Sequence, residues 1–252
     1  MRILATNDDG IDSPGLRALV RVLSSRDHDV AVIAPSTQQS AISRALTMNR
    51  ILRSYPAEIA GFSGTCLRVE GTPVDCVKLG VLELLSARPD LVVSGVNIGT
   101  NMGGDVLYSG TVAAAMEAAY LGLPAVAYST SQVRGGVPDF GMLDDVVEWS
   151  FALIEEHPLP RGTILNVNFP QQVLRGFRTA PLGSMNYNEH YVRRVDPRGG
   201  AYYWLDGGSL GEKEDARTDV YWFDNGYCTA TPLKLDITDH DFLHDIRDWR
   251  DK

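Results

Sequence analysis

Two adjacent carboxylates, Asp8 and Asp9, come directly after a short apolar run at residues 3–5. The run predicts a buried strand, and ligands of open α/β sheets bind at the carboxyl ends of the strands. Neighbouring carboxylates repel each other, and a shared cation relieves that repulsion most simply. The chemistry expected of this turn is therefore cation binding, and a turn with two solvated acids is the alternative.

A long loop at residues 94–111 leads into an Ala-rich helix expected at residues 112–121. Its glycines let the backbone turn sharply and approach a ligand closely. Its candidate ligand groups are uncharged: Asn97, Asn101, Ser109 and Thr111. Residues 109–111, with Gly110 in the middle, lie at the start of the helix, where unpaired N–H groups and the helix dipole favour an anion such as phosphate. Simple capping of the helix by Ser109 or Thr111 is the alternative.

A polar loop at residues 36–47 follows an apolar strand predicted at residues 29–35. Its Ser40 hydroxyl is a weak cation ligand alone and would count only beside carboxylates. Arg44 is the nearest fixed positive charge and could meet an anionic substrate, with a place on the surface as the alternative. This loop adds candidate residues without defining a site by itself.

The elements that would position these residues alternate between strands and helices. Apolar runs predict strands at residues 3–5, 29–35, 90–94, 124–128 and 163–170. Helices are expected at residues 14–25, from residue 73, at 112–121 and at 139–156, and residues 50–69 suggest a small antiparallel excursion. Ser13 and Thr72, each followed by proline, are the expected N-caps of two helices. The alternation predicts an α/β fold with a Rossmann-like, doubly wound, mostly parallel sheet.

The pattern changes beyond residue 170, where residues 187–205 and 219–233 look like hairpins and residues 239–249 like a final helix. We therefore predict a catalytic domain at residues 1–180 and a C-terminal hairpin and helix extension at residues 181–252. The rings of Tyr202, Tyr203 and Trp204 cannot be buried by a hairpin alone, so we expect them to reach a neighbouring subunit. Folding back onto the same domain is the alternative.

The composition is that of an ordinary globular protein, with 44% hydrophobic and 22% charged residues. A formal charge of −9 argues against binding to nucleic acid polymers or anionic membranes, although it leaves room for a local phosphate pocket. Three cysteines without a CxxC pair indicate a reducing compartment. The first apolar run is too short for a signal peptide, and none approaches the ~20 residues that span a bilayer, so we expect a soluble, cytoplasmic protein.

Several segments, in this order, resemble the signatures of the SurE survival-protein family. They are TNDDG at residues 6–10 with Pro14-Gly15, Ser40 after the Ala34-Pro35 strand end, GTPVDCV at 71–77, SGVNIGTN at 94–101, YSGTVAA at 108–114 and NVNFP at 166–170. Residues 218–221, 226–227 and 231–233 resemble the tail of the family. One departure is Ala41, where the family usually has glycine. The resemblance implies a metal-dependent 5′/3′-nucleotidase that acts on nucleoside monophosphates, with short polyphosphate as a further substrate.

The resemblance also implies residue roles. Asp8, Asp9, Ser40 and Asn97 match the metal ligands, an all-oxygen set suited to one Mg²⁺ or Mn²⁺ per subunit. Asn101, Ser109, Gly110 and Thr111 match the positions that contact phosphate. Asp8, Asp9 and Asn101 are thus the expected catalytic residues. The family forms dimers or tetramers that exchange the C-terminal extension, so a homodimer or homotetramer is expected.

The mechanistic hypothesis is attack on phosphorus by a water that the cation activates, with Asp8 or Asp9 transferring a proton. The sequence does not decide between these two acids. A nucleotide or polyphosphate sensor that hydrolyses nothing is the main alternative, and calorimetry with AMP and Mn²⁺ would separate the two. A sugar-nucleotide transferase is a third reading, and it predicts turnover only when an acceptor is present.

Overall fold

The computed structural model describes residues 1–133, 135–136, 138–171, 174–184, 187–208, 217–247 and 249. Parts of the expected C-terminal extension, residues 209–216 and 250–252 among them, therefore lie outside the described residues. None of the helices in the described part is long and apolar enough to cross a bilayer.

Most strands join one central sheet. The strands are β1 (Arg2–Thr6), β2 (Asp29–Pro35), β3 (Ser54–Pro56), β4 (Cys66–Val69), β5 (Leu91–Ile98), β6 (Ala125–Thr130), β7 (Thr163–Phe169), β8 (Phe177–Thr179), β9 (His190–Val195), β10 (Ala201–Asp206) and β11 (Cys228–Lys234). Within the described residues, nine strands pair in the order β3-β4-β2-β1-β5-β6-β7-β11-β8. The run from β4 to β7 is parallel, whereas β3 and β11 are antiparallel to their inner neighbours. The predicted mostly parallel sheet is confirmed.

Helices cover both faces of this sheet. They are α1 (Pro14–Ser25), α2 (Pro73–Leu79, extended by a wide turn at Gly80–Leu84), α3 (Gly110–Tyr120), α4 (Leu143–Glu156), α5 (Asp219–Asp224) and α6 (His240–Ile246). Buried side chains of α1 and α4 share one apolar core, and those of α2 and α3 share a second core across the sheet. The predicted doubly wound arrangement is therefore confirmed.

The caps place the helix starts at the carboxyl edge of the sheet. Ser13 accepts a hydrogen bond from the Leu16 N–H, and Ser109 accepts one from the Val112 N–H. Thr72 and Asp75 form the reciprocal capping box that the sequence predicts. These caps fix where α1, α2 and α3 begin, and the loops before them hold the polar residues of interest.

One prediction for the C-terminal region is wrong. Residues 219–233 do not form a hairpin: Asp219–Asp224 is α5, which Thr218 caps, and the following strand β11 pairs with β7 in the central sheet. The Asn225-Gly226 pair ends this helix, with Gly226 at a positive φ of 84°. The aromatic and β-branched residues of α5 favour a strand, whereas the Thr218 N-cap favours a helix, and the segment is helical. The division at residue 180 stays a prediction, although β11 beyond it belongs to the central sheet.

The predicted hairpin at residues 187–205 is present as β9 and β10, an antiparallel pair outside the main sheet. Its aromatic rings stay exposed, with Trp204 at 62% and Tyr203 at 59% of full accessibility. The predicted final helix is shorter than expected, because α6 ends at Ile246.

Candidate functional site

Three neighbouring strands, β2, β1 and β5, deliver the predicted cation ligands to one edge of the sheet. Asp8 and Asp9 follow β1, Ser40 lies in the loop after β2, and Asn97 lies near the end of β5. The Gln39 N–H donates to the Asp8 carbonyl oxygen over 2.7 Å, which ties the first two segments together. The structure therefore brings these four residues to a common region.

Asp8 is buried against the start of α3. Its carboxylate accepts a hydrogen bond from the Thr111 hydroxyl, and a Cβ on Gly110 would lie 2.8 Å from the Asp8 Cβ. Desolvation raises the pKa of Asp8 to about 6; the bond from Thr111 opposes this shift and the charge of Asp9 adds to it. Only glycine at position 110 lets the helix start come this close to the acid.

Asp9 faces the other two ligand segments. It accepts a hydrogen bond from the Ile98 N–H at 3.3 Å and a weak one from the Gln38 side chain at 3.4 Å. The same Gln38 nitrogen donates to the Ser40 hydroxyl at 2.9 Å, so one amide bridges Asp9 and Ser40. Partial burial raises the pKa of Asp9 as well. Gln38 thereby holds two predicted ligands near each other.

Asn97 is directed by an irregularity in β5. The register between β5 and β6 shifts between Ser94 and Asn97, where Gly95 has a φ of 132°. A Cβ on Gly95 would lie 2.3 Å from the Tyr128 carbonyl oxygen, so the bulge needs glycine. The Asn97 Nδ2 donates to the Gly99 carbonyl over 2.6 Å, which leaves its Oδ1 as the group suited to a cation.

The residues present fit a hard divalent cation. The donor set consists of carboxylate, hydroxyl and amide oxygens, which Mg²⁺ and Mn²⁺ prefer. Within the described ranges, neither Asp8 nor Asp9 forms an ion pair with a basic side chain. The described part of the chain also contains no group of three or more His, Cys, Asp and Glu residues suited to a metal. The buried Asp8 and the partly buried Asp9 next to it lack a counter-charge that a cation would supply.

Three of the predicted phosphate contacts, Ser109, Gly110 and Thr111, lie at the start of α3, which contacts Asp8. Ser109 caps α3 through its oxygen, which leaves its hydroxyl hydrogen for donation. Thr111 uses its hydroxyl hydrogen on Asp8, so its side chain serves the acid directly. Asn101 is 6% exposed and accepts at its backbone oxygen from Asn166 at 2.8 Å and Asn168 at 3.0 Å. The assigned phosphate roles remain predictions.

Arg44 holds the Ser40 loop to helix α3. Its guanidinium lies 2.8 Å from Glu117, which is 4% exposed and also pairs with Lys78 at 2.6 Å. The Ser43 hydroxyl and N–H bond the carbonyl oxygens of Leu107 and Tyr108. Arg44 therefore lies at the surface, which is the alternative considered from sequence, and there it makes an ion pair with Glu117.

Sequence reasoning missed several residues that hold the ligands in place: Gln38, Glu117, Ser129, Asn166 and Asn168. A signal existed for the last two. Asn166 and Asn168 alternate along β7, a strand covered on both faces, where apolar side chains are the rule. Two buried amides on one face of such a strand indicate a polar partner nearby.

Together the fold and the site define a Rossmann-like α/β protein with a group of oxygen-bearing side chains beside a helix N-terminus. Residues 3–189 match the family model described as survival protein SurE. The chain is 44% identical to 5′-nucleotidase SurE 1 of Thermus thermophilus over 96% of this chain and 95% of the relative. It is 42% identical to 5′/3′-nucleotidase SurE of Proteus mirabilis, over 100% of this chain and 97% of that protein.

A solved structure has the same fold. The crystal structure of the SurE protein from Aquifex aeolicus superposes with a TM-score of 0.84 at 33% identity, covering 100% of both chains. The chain belongs to the SurE family, as the sequence motifs predict.

Proposed function

We propose that this protein is a divalent-cation-dependent phosphomonoesterase that hydrolyses nucleoside 5′-monophosphates to nucleoside and phosphate. Nucleoside 3′-monophosphates and short polyphosphate are the proposed further substrates. Relatives named 5′-nucleotidase and 5′/3′-nucleotidase, similar over nearly their whole length, support this activity. The observation that carries the proposal is the contact between Asp8 at the end of β1 and the first turn of α3, made through Thr111.

Through that contact, the proposed cation site would lie directly beside the proposed phosphate site. Asp8, Asp9, Ser40 and Asn97 would hold the cation, and one Mg²⁺ or Mn²⁺ per subunit satisfies their chemistry. Such a cation, when bound, lowers the pKa of an attacking water and offsets negative charge on the phosphoryl group. Because the helix start is only one hydrogen bond away from Asp8, a phosphate could meet both sites at once.

The residues of the chain itself orient the ester and move the proton. The Asn101 amide, the Ser109 hydroxyl and the N–H groups in the first turn of α3 would hold phosphoryl oxygens as charge develops on them. Asp8 or Asp9 would take a proton from water or return one to the leaving oxygen. Together these groups would hold the phosphorus in position for in-line attack.

Phosphate release from AMP and GMP tests the proposal. We expect release with Mn²⁺ or Mg²⁺ present, loss of it with excess chelator, and recovery when the cation is restored. Calorimetry with AMP and Mn²⁺ runs in parallel. Stable binding without any phosphate release would contradict hydrolysis and favour a nucleotide sensor.

We further propose that the protein assembles into a homodimer or homotetramer through its C-terminal extension. Exposed apolar side chains support this proposal: Tyr203 and Trp204 on β10, and Phe242 and Ile246 on α6. Light scattering tests it with Trp204→Ser, which should lower the assembled mass. Met48→Ser, another exposed apolar position outside the extension, is the control and should leave the mass unchanged.

We also propose that the protein is cytoplasmic. Its support is the state of the cysteines, because Cys66, Cys76 and Cys228 are all unpaired. Fractionation of cells that express the natural protein would test this location.

A further inference from the structure

Asn101 is held by three side chains from two neighbouring strands. Asn168 on β7 accepts from the Asn101 N–H at 2.8 Å and donates to its carbonyl oxygen at 3.0 Å. Asn166, two residues earlier on β7, donates to the same oxygen at 2.8 Å. Ser129 on β6 accepts from the Asn101 side-chain Nδ2 at 2.8 Å. Backbone and side chain of one loop residue are thus both fixed by the sheet.

These bonds form away from water. Ser129 and Asn166 are 0% exposed, and Asn168 is 1% exposed. Buried amides and hydroxyls cost stability unless they are bonded, and apolar residues are usual at these strand positions. The Asn166 Oδ1 is itself buried with no hydrogen-bond partner among the described residues. Stability alone therefore does not account for Asn166, because its amide leaves one polar atom unsatisfied.

The three bonds differ in what they can do. Asn166 and Asn168 bind the backbone of Asn101, so they fix where the loop runs. Ser129 binds only the side chain, so it fixes which way the amide points. Nδ2 carries two hydrogens, and the bond to Ser129 uses one of them. Because that bond fixes the plane of the Asn101 amide, the second Nδ2 hydrogen points in one direction.

We propose that Ser129, Asn166 and Asn168 are positioning residues that act through Asn101 and hold its second N–H ready for the substrate phosphate. This inference rests on the proposed function, since it takes Asn101 as a phosphate contact. A donor that is already oriented loses little freedom on binding, and affinity for phosphate rises accordingly. Ser129 contacts the side chain of Asn101 and not its backbone, so its substitution should change phosphate affinity through that side chain alone.

A double-mutant cycle with inorganic phosphate as the probe tests the inference. Binding of phosphate in the presence of Mn²⁺ is measured by calorimetry for the full chain, Ser129→Ala, Asn101→Ala and the double variant. Ser129→Ala should weaken phosphate about three- to tenfold, the value of one neutral hydrogen bond. In the Asn101→Ala background the same change should alter affinity by less than about twofold, because the amide it orients is gone. Equal effects in both backgrounds would overturn the inference.

Ser150→Ala is the matched control. Ser150 is also a fully buried serine, and its hydroxyl bonds Tyr128, the residue next to Ser129 on β6. This control should lower the melting temperature and leave phosphate affinity unchanged. A loss of phosphate affinity in Ser150→Ala as large as that in Ser129→Ala would mean general destabilisation, and would contradict a positioning role.

Asn166→Ala gives a second, independent arm. It removes one bond to Asn101 and also removes the unpartnered Oδ1, so we expect weaker phosphate binding with little loss of thermal stability. Mn²⁺ affinity should stay unchanged in Ser129→Ala and Asn166→Ala, since neither residue belongs to the cation set. Weaker Mn²⁺ binding in both would overturn the inference. Calorimetry needs no turnover, so an absence of AMP hydrolysis would refute the proposed function while this cycle still gave an answer.

Discussion

The two halves of the candidate site differ in how their polar groups are satisfied. In the acid half, Asp8 and Asp9 are two adjacent carboxylates without an ion pair to a basic side chain in the described residues, and the pKa values of both are raised. In the amide half, Asn101 has bonds at its N–H, its carbonyl oxygen and its Nδ2. The acid half lacks a counter-charge, which the proposed cation would supply, whereas the amide half is held by hydrogen bonds within the protein.

The contrast means that the unbalanced charge of the candidate site lies in its acid half. A buried acid with a raised pKa costs stability in the absence of a counter-charge. The amide network carries no net charge and is hydrogen-bonded except at the Asn166 Oδ1, so it holds its geometry at a lower cost. Variants of the acid half should therefore change activity and stability in opposite directions, and variants of the amide half should change chiefly affinity for phosphate.

The largest expected effect belongs to Asp8→Asn. The new side chain keeps an oxygen for Thr111 but loses the charge that attracts a cation, so turnover of AMP should fall on the order of 100-fold or more. Without a cation the melting temperature should hold or rise, since a desolvated charge is gone. Kinetics and calorimetric unfolding check both halves of this prediction. Unchanged turnover would contradict a role for the Asp8 charge in cation binding.

Cation binding should stabilise the folded chain. At a Mn²⁺ concentration about 100 times the dissociation constant, binding adds roughly 2.7 kcal/mol, which corresponds to about 5–10 °C in melting temperature for a chain of this size. Differential scanning calorimetry measures the shift, and Asp8→Asn should abolish it. An equal shift in that variant would place the cation elsewhere.

Gly110→Ala should disturb the contact between Asp8 and the start of α3. Its Cβ would lie 2.8 Å from the Asp8 Cβ, so Asp8 or the helix start must move. A displacement of this kind typically lowers turnover by about 10- to 100-fold. Gly104→Ala is the control, because a Cβ there meets nothing within 4 Å. Similar losses in both variants would show that the effect is not specific to the contact with Asp8.

The smallest expected effect concerns Ala41 in the Ser40 loop. Its φ of 54° lies in the left-handed region, where the family usually has glycine. Ala41→Gly should therefore raise the free energy of unfolding by about 1 kcal/mol or less, since relief of strain is partly offset by the entropy of glycine. Ala45→Gly in the same loop lacks a positive φ and should lower it. Chemical denaturation distinguishes the two.

Much of the framework could be predicted from sequence, because apolar runs and caps act locally. The strand Asp29–Pro35 and the helix Pro14–Ser25 have the predicted bounds. The helix Asp219–Asp224 could not be predicted in this way, since its residues favour a strand and only the Thr218 cap favours a helix. Local strand propensity and helix capping oppose each other in this segment, and the capped helix forms.

The candidate site could be predicted only in part. Asp8, Asp9 and residues 109–111 carry local signals, namely adjacent acids and a helix start. Gln38, Ser129 and Glu117 carry none, because their roles arise from contacts between segments far apart in the chain. Arg44 illustrates the limit: the sequence suggests an anionic substrate or a surface position but no partner, and the structure pairs Arg44 with Glu117 across 73 positions.

The most direct test of the central claim is a crystal structure of the protein soaked with Mn²⁺ and AMP. We predict one anomalous peak in contact with Asp8, Asp9, Ser40 and Asn97, and the phosphate of AMP between that peak and the first turn of α3. A peak away from these residues, or a phosphate bound apart from the helix start, would contradict the account.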